Sequence, residues 1–420
     1  MTTESLWQAF LPGARWFQAK GLAARVREIT PLPWYTDSGD VWVRSEIAAV
    51  DTAAGPESYH LLVGYLPVEA AEPAALVGRT TLPGRGEVAV VDAPLSPTAM
   101  AACLRGLAEA PTPRVVWFER PPDPGAPTAV YNREQSHTNV CVGQTALLKL
   151  FRRLPGARSL EAELLRTLRG TGLTPNLIGT LSSPETGFDL GLICERVVDA
   201  VDGWDLATAA GAAGESVESE MAALGHTLRR LHFALAEAYG VSHLDPLAIT
   251  RLMTDRLDAA AAWIEDLRPW RDALAAAYGG LGVTPVTAQR LHGDFHLGQG
   301  LLSARGWTLI DLEGEPLKTW TERAAFDVVW RDVAGLTRSL DYARSRLPDP
   351  DGPAARQWHA AARAAFLHGY RGDDSPPPAL LRAYEVDRAV YELQYELRNR
   401  PDWAVIPRRA LAEAAARPRS

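Results

Sequence analysis

Apolar residues recur at helical spacing in two long stretches, 218–239 and 247–278, both rich in Ala and Leu, with a break expected at Pro269. Further helices are predicted over 321–344, 352–370 and 378–399, and loops over 347–352 and 375–378, where Pro, Asp and Gly accumulate. Upstream the pattern differs. The runs Val41-Trp42-Val43-Arg44-Ser45-Glu46-Ile47 and Tyr59-His60-Leu61-Leu62-Val63-Gly64-Tyr65 have strand composition and are separated by turn residues. Strands are also predicted over 114–119, 129–132, 139–142, 145–150, 176–181 and 190–197. Two helices interrupt them: 96–109, opened by Ser96-Pro97, and 159–169, where Leu160, Leu164, Leu165 and Leu168 form a stripe.

A β-rich half followed by a helical half makes this an α+β chain. We expect a small β-rich N-terminal unit over 1–90, a second part over 91–200 that completes a β lobe, and a mainly α-helical lobe over 201–420. The 420 residues suffice for two or three domains, and 47% hydrophobic with 22% charged residues is ordinary globular composition. A net charge of −8 without a basic cluster argues against nucleic acid as a partner. No apolar run has the length of a membrane span, and the start lacks a secretory profile, so a cytoplasmic protein is expected. Cys103, Cys141 and Cys194 are widely spaced and odd in number, which suits reduced, buried thiols rather than a disulfide framework. The sequence does not fix the oligomeric state; a monomer is the working expectation.

Chemistry concentrates in Leu291-His292-Gly293-Asp294-Phe295-His296-Leu297-Gly298-Gln299 and the following Ile310-Asp311-Leu312-Glu313-Gly314-Glu315-Pro316. An acid beside a His-Gly turn, then an amide, then a second acid after an apolar strand is the order that phosphoryl transfer from ATP requires. Asp294 is the candidate base, or the group that orients the acceptor hydroxyl. Gln299 can offer an amide oxygen to Mg²⁺, although kinases usually carry Asn there. Asp311 should be the main metal ligand, and Glu313 a second ligand or a supporting group. His292 would brace the loop, and His296 would line the acceptor site. A loop joining two strands with solvated acids is the plain alternative.

Lys149 sits inside the apolar strand Ala146-Leu147-Leu148-Lys149-Leu150-Phe151 and needs an anionic partner there. ATP phosphates and a glutamate on the next helix would supply one. Helical phase leaves Glu161 and Glu163 both open, with Glu163 expected. No GxGxxG precedes the lysine. The segment Glu134-Gln135-Ser136-His137-Thr138-Asn139 takes that place, and Ser136 and Thr138 could cap phosphates, or the segment could be a plain hairpin turn. Backbone groups from Glu195 to Val197 would bond the adenine edge. A β lobe, a hinge and a helical lobe together make the bilobal plan of kinases.

These motifs resemble the maltokinase-like sugar kinases, a branch of the aminoglycoside-phosphotransferase and eukaryotic-like kinase superfamily. Arg15-Trp16-Phe17 with Lys20-Gly21 is similar to the signature of that family's N-terminal cap. Lys149-Leu150-Phe151-Arg152-Arg153, Asp202-Gly203-Trp204, the two motifs above and Tyr395-Glu396-Leu397-Arg398-Asn399-Arg400-Pro401-Asp402-Trp403 follow in family order. The resemblance implies the bilobal kinase fold with a cap, ATP and Mg²⁺ as cofactors, and a small sugar as acceptor.

Tyr391, Tyr395, Arg398 and Asp402 recur at helical spacing, a stripe suited to a polyhydroxyl ligand. The alternative is a docked helix whose bridges come from Glu392, Glu396 and Arg400. The family includes enzymes acting on maltose and actinobacterial relatives acting on glucosamine. The chain departs from typical maltokinases in being short and in its cap. An acid-lined pocket of Asp294, Glu396 and Asp402 would favour a protonated amine, so glucosamine giving glucosamine 6-phosphate is expected over maltose giving maltose 1-phosphate. An aminoglycoside kinase is argued against by the cap and the Tyr395-to-Trp403 run. A non-catalytic binding module is argued against by the presence of Asp294, Gln299, Asp311 and Lys149.

Overall fold

The computed structural model describes residues 2–416 apart from 18, 21, 22, 38, 54, 111–113, 132–136, 155, 157, 316, 317 and 373–378. Ser136, with Glu134 and Gln135 of the expected phosphate turn, lies outside the described residues, as do Gly21, Pro316 and the loop 375–378. Contacts divide the chain into two units, Met1–Arg169 with Pro175–Val198, and Gly170–Thr174 with Asp199–Ser420. The architecture is α+β: a β-rich unit and a mainly helical one.

The first unit holds two antiparallel sheets. One runs in the order Ala24–Thr36, Trp42–Thr52, Gly55–Leu66, Gly86–Asp92, Leu76–Leu82, with Arg153–Leu154 added against Gly55–Leu66. The central strand reads as a continuous apolar run because both its faces are covered. Tyr59, Leu61, Val63 and Tyr65 pack into an aromatic cluster with Trp7, Trp16, Phe17 and Trp42. On the other face Gly64 lies against Ala99 of the helix Pro97–Glu109, whose Ser96 cap accepts from the Ala99 N–H. Trp16 and Phe17 anchor the N-terminal segment to this sheet: both are buried, and the Phe17 ring lies 5.1 Å from that of Tyr59.

The second sheet orders Val115–Trp117, Leu177–Ser183, Phe188–Glu195, Ala146–Leu150, Thr138–Val142 and Thr128–Val130. Lys149 therefore sits on an interior strand, paired with Asn139 on one side and Leu192 on the other. The helix Leu160–Thr167 follows, capped by Ser159. All three thiols are free, and burial pushes those of Cys103 and Cys194 up to about 12.

In the second unit the helix Glu218–Tyr239 has the predicted bounds, and the Pro269 break appears as a 3₁₀ segment between Pro246–Trp263 and Arg271–Tyr278. The helix expected over 321–344 is two, Trp320–Ala324 and Trp330–Arg344. Between them Asp327 exchanges both backbone bonds with Gln289 at 2.9 Å, so those groups cannot serve a helix. Among the described residues no helix is long and apolar enough to cross a membrane.

Candidate active site

The loop carrying Asp294 is held from behind by one helix. Asp332, fully buried on Trp330–Arg344, accepts the backbone N–H of His292 through Oδ2 and of Gly293 through Oδ1, each at 2.9 Å. Its Oδ2 also lies 3.0 Å from His232 Nε2, and His232 Nδ1 is 2.8 Å from the Tyr370 hydroxyl. Burial works to raise the Asp332 carboxyl, but His232 and the backbone donors hold it below its ordinary range. Farther along, Ser339 Oγ accepts from the Leu297 N–H at 3.2 Å. The close approach depends on Gly335, where a Cβ would stand 2.3 Å from the Phe295 carbonyl oxygen.

The loop residues take up distinct roles. His292 is buried and its Nε2 lies 2.9 Å from the Ile310 carbonyl oxygen, so it braces the loop against the strand end before Asp311, as expected. Gly293 has φ +89°, a left-handed geometry that favours glycine. Asp311 also has positive φ, +63°, one of two non-glycine residues among those described that do. Strain of this kind persists where the surroundings enforce it, often at functional sites.

Asp294 Oδ1 accepts from Arg388 Nη2 at 2.9 Å, with side chains only 20% and 19% exposed. Arg388 Nη1 donates to Glu315 at 2.7 Å, and its Nε faces Glu392 at 3.6 Å. Burial opposes the Arg388 charge, yet Asp294, Glu315 and Glu392 hold it more firmly protonated than an ordinary arginine. Burial likewise opposes the Glu315 charge, but Arg331, Arg388 and Lys318 bring that carboxyl down to about 2. Glu392 is in turn bound by Arg338 Nε and Nη2 at 3.0 and 2.8 Å. Asp294 thus ends a chain of alternating buried charges.

Gln299 and Asp311 meet in a way that tests their fitness for a cation. The Nε2 end of the Gln299 amide lies 3.2 Å from both His296 Nε2 and Asp311 Oδ2. His296 Nδ1 accepts from the Gly298 N–H at 3.1 Å, and burial first of all lowers the His296 pKa, keeping the ring neutral. A neutral ring accepting at Nδ1 carries its proton on Nε2, so two donors would face each other. Turning the amide over resolves this: Oε1 accepts from His296 and lies beside Asp311 Oδ2. Two oxygens so placed form the hard, anionic edge that Mg²⁺ prefers, and the residues fit the group. Glu313 is half-buried two positions on.

On the first unit Lys149 Nζ donates to Glu161 at 2.8 Å, both side chains being nearly enclosed. The expected pairing with Glu163 is therefore corrected to Glu161. Both acids lie in the first turn, but Glu161 adjoins the buried Leu160 and Ala162 and is itself buried, while Glu163 is half-buried. Thr138 is buried, and its Oγ1 accepts from Arg152 Nε at 2.8 Å, so that lone pair is occupied by protein rather than left for a ligand. Glu195 donates its N–H to the Asn176 carbonyl at 2.8 Å. Val197 is half-buried beyond the last paired residue.

The C-terminal stripe is only partly assembled. Tyr391 and Tyr395 stack at 6.5 Å, and Arg388 lies 5.3 Å from the Tyr391 ring, tying Tyr391 to Asp294. Arg398 turns to Trp263 at 5.1 Å. Glu396 is buried and accepts from Tyr342 and from Arg400 Nε and Nη2 at 2.7–3.0 Å, so it belongs to the docked, salt-bridged face. Asp402 is exposed in the turn Pro401–Trp403. Sequence reasoning missed Asp332, Arg388 and Glu392 as parts of the site. A signal existed for Arg388, three residues before Tyr391 on the same helical stripe.

A profile described as the maltokinase N-terminal cap domain matches residues 10–95. A glucosamine kinase from Streptacidiphilus jiangxiensis is 31% identical over 316 residues, 67% of this chain and 72% of that protein. The chain belongs to that family of sugar kinases. It is a kinase with a hydroxyl acceptor. A glucosamine kinase from Mycolicibacterium smegmatis is 28% identical over 312 residues, covering 66% of this chain and 77% of that one. The fold also matches a solved glucosamine kinase in complex with glucosamine, ADP and inorganic phosphate, with TM-score 0.68, 24% identity, and 98% and 99% of the two chains covered. The cap match removes the cap as a reason to set this sugar kinase apart from maltokinases.

Proposed function

We propose that this sugar kinase transfers the γ-phosphoryl group of ATP to the 6-hydroxyl of D-glucosamine, with Mg²⁺. The observation that carries the reading is Asp294, partly accessible on a loop whose backbone Asp332 fixes and whose carboxylate Arg388 orients. The named activity of the 31% identical relative supports the acceptor.

In this reading Lys149, held by Glu161, contacts the α/β-phosphates, and the backbone near Glu195 and Val197 receives the adenine. Gln299 Oε1 and Asp311, with Glu313 beside them, would hold the metal, which when bound would offset charge on the phosphates. Asp294 accepts a hydrogen bond from the acceptor hydroxyl and aims its oxygen at the γ-phosphorus. The new O–P bond forms as the bond to the β–γ bridging oxygen breaks, ADP leaves, and the hydroxyl proton passes to Asp294. Tyr391, Tyr395, Arg398 and Asp402 are proposed to line the sugar side, with His296 bordering it and Glu396 supporting from below. The division at 90 and 200 stays part of this proposal, as does action as a monomer.

Maltose, phosphorylated at the anomeric hydroxyl, is the second reading, favoured by the cap match over residues 10–95. A coupled ADP-release assay with ATP and Mg²⁺ against glucosamine, glucose, N-acetylglucosamine, maltose and kanamycin tests both. Selective turnover of glucosamine is expected. Selective turnover of maltose would replace the acceptor, and ADP release independent of any sugar would remove the reading.

A further inference from the structure

Arg152 is a cation with no solvent access, three residues beyond Lys149. Its Nη2 donates to both oxygens of Asp92 at 2.9 and 3.0 Å, and its Nε donates to Thr138 Oγ1 at 2.8 Å. Its Nη1 reaches the His60 carbonyl oxygen at 3.4 Å, and its guanidinium lies 4.4 Å from the centre of the Trp16 ring. Asp92, His60 and Trp16 belong to the cap sheet or its aromatic cluster; Thr138 opens the strand Thr138–Val142 in the second sheet.

The main chain at this point makes the same connection. The Phe151 N–H donates to the Leu190 carbonyl at 3.0 Å, and the Arg152 carbonyl accepts from the His60 N–H at 2.7 Å. Arg153 and Leu154 then pair with Tyr59 and Ser58. Within five residues the chain leaves the lysine strand and becomes part of the cap sheet. One side chain fixes the exit of the Lys149 strand and the start of the strand that follows the candidate phosphate turn.

We propose that Arg152 is a positioning residue for the nucleotide. Anchored by Asp92 and Trp16 of the cap, it sets the register of Lys149 and of Thr138, so the cap acts on nucleotide affinity without touching the nucleotide. The inference rests on the reading of Lys149 as the phosphate-contacting lysine. An ammonium in place of the guanidinium keeps the charge but, as a single nitrogen, cannot bond Asp92, Thr138 and the His60 carbonyl together as the separate Nη2, Nε and Nη1 do. Trp16→Leu removes the ring beneath the guanidinium and leaves the Asp92, Thr138 and His60 contacts in place, though it also takes that ring from the cluster around Tyr59.

The test is equilibrium binding of ATP to the folded full-length chain, well below each variant's unfolding temperature, for Arg152→Lys, Trp16→Leu and Lys149→Met. Apparent KM for the sugar at saturating ATP is measured alongside. We expect Arg152→Lys to weaken ATP binding about tenfold, Trp16→Leu by a smaller factor, and neither to change the sugar KM. A merely structural Arg152 would lower the unfolding temperature and leave ATP affinity of the folded chain unchanged; with Lys149→Met weakened, that result overturns the inference. If Lys149→Met itself binds ATP normally, the reading of Lys149 fails and the inference falls with it. Should Arg152→Lys not fold, Trp16→Leu decides by the same criterion.

Discussion

Arg152 and Arg388 are both enclosed arginines bound to aspartates at 2.9 Å, yet they serve different ends. Arg152 is sealed, its contacts shared between carboxylate, hydroxyl, carbonyl and an aromatic face. Arg388 keeps a fifth of its surface open, and its aspartate is the one proposed to meet the acceptor hydroxyl. A sealed pair fixes geometry, because opening it would strand a charge. A pair at the edge of solvent can exchange one partner for a ligand at lower cost. On the proposed reading the same residue types position a lysine strand in one unit and a reacting carboxylate in the other.

The sharpest way to break this comparison is Asp294→Ala. Loss of a positioned base should lower kcat about 10²- to 10⁴-fold while ATP still binds, and near-normal turnover in steady-state kinetics would make the Arg388 pair scaffold like the other. Next comes Asp332→Asn, which leaves a buried site short of a charge for His232 and of an acceptor for His292 or Gly293. It should cost about 2–4 kcal/mol in denaturant unfolding, with turnover reduced in the folded fraction. Arg388→Lys should lower kcat about tenfold without moving the ATP KM, the opposite split from Arg152→Lys.

A smaller effect separates the units by pH. Burial, with Arg152 nearby, lowers the His60 pKa from 6.5 to about 3. The unfolded chain then takes up that proton first, so the first unit loses stability as pH falls from about 6.5 towards 3. Glu315 runs from 4.5 to about 2, so its contribution is complete above about 4.5 and is lost only below that. Denaturation followed between pH 6.5 and 4.5 should show a slope that His60→Gln flattens; an unaltered slope would place the acid sensitivity elsewhere.

How much of this was legible in sequence depended on the range of the interactions. The helix Glu218–Tyr239 and the capped helices after Ser96 and Ser159 follow from local pattern and cap residues. The helices Gly203–Ala213 and Val405–Ala416 and the strand Ala24–Thr36 went unpredicted, since Gly, Ala and Pro blur their periodicity and distant packing decides them. For the proposed site, residue types and spacing supplied the candidates Asp294, Gln299, Asp311 and Lys149. Pairings across the fold were not readable. Whether Lys149 met Glu161 or Glu163 turned on the docking of a short helix, and Arg388 reaches Asp294 across 94 positions. The Asp332 clamp is hidden for a related reason, because its partners are backbone N–H groups that leave no trace in residue type.

The most direct test of the central claim is a ³¹P NMR spectrum of glucosamine, ATP and Mg²⁺ incubated with the enzyme, beside the same mixture with Asp294→Ala. The account predicts a phosphomonoester at the 6-position of glucosamine, formed in step with ADP by the native chain and nearly absent with the variant. ADP accompanied only by inorganic phosphate, or a sugar phosphate formed equally well by Asp294→Ala, would contradict it.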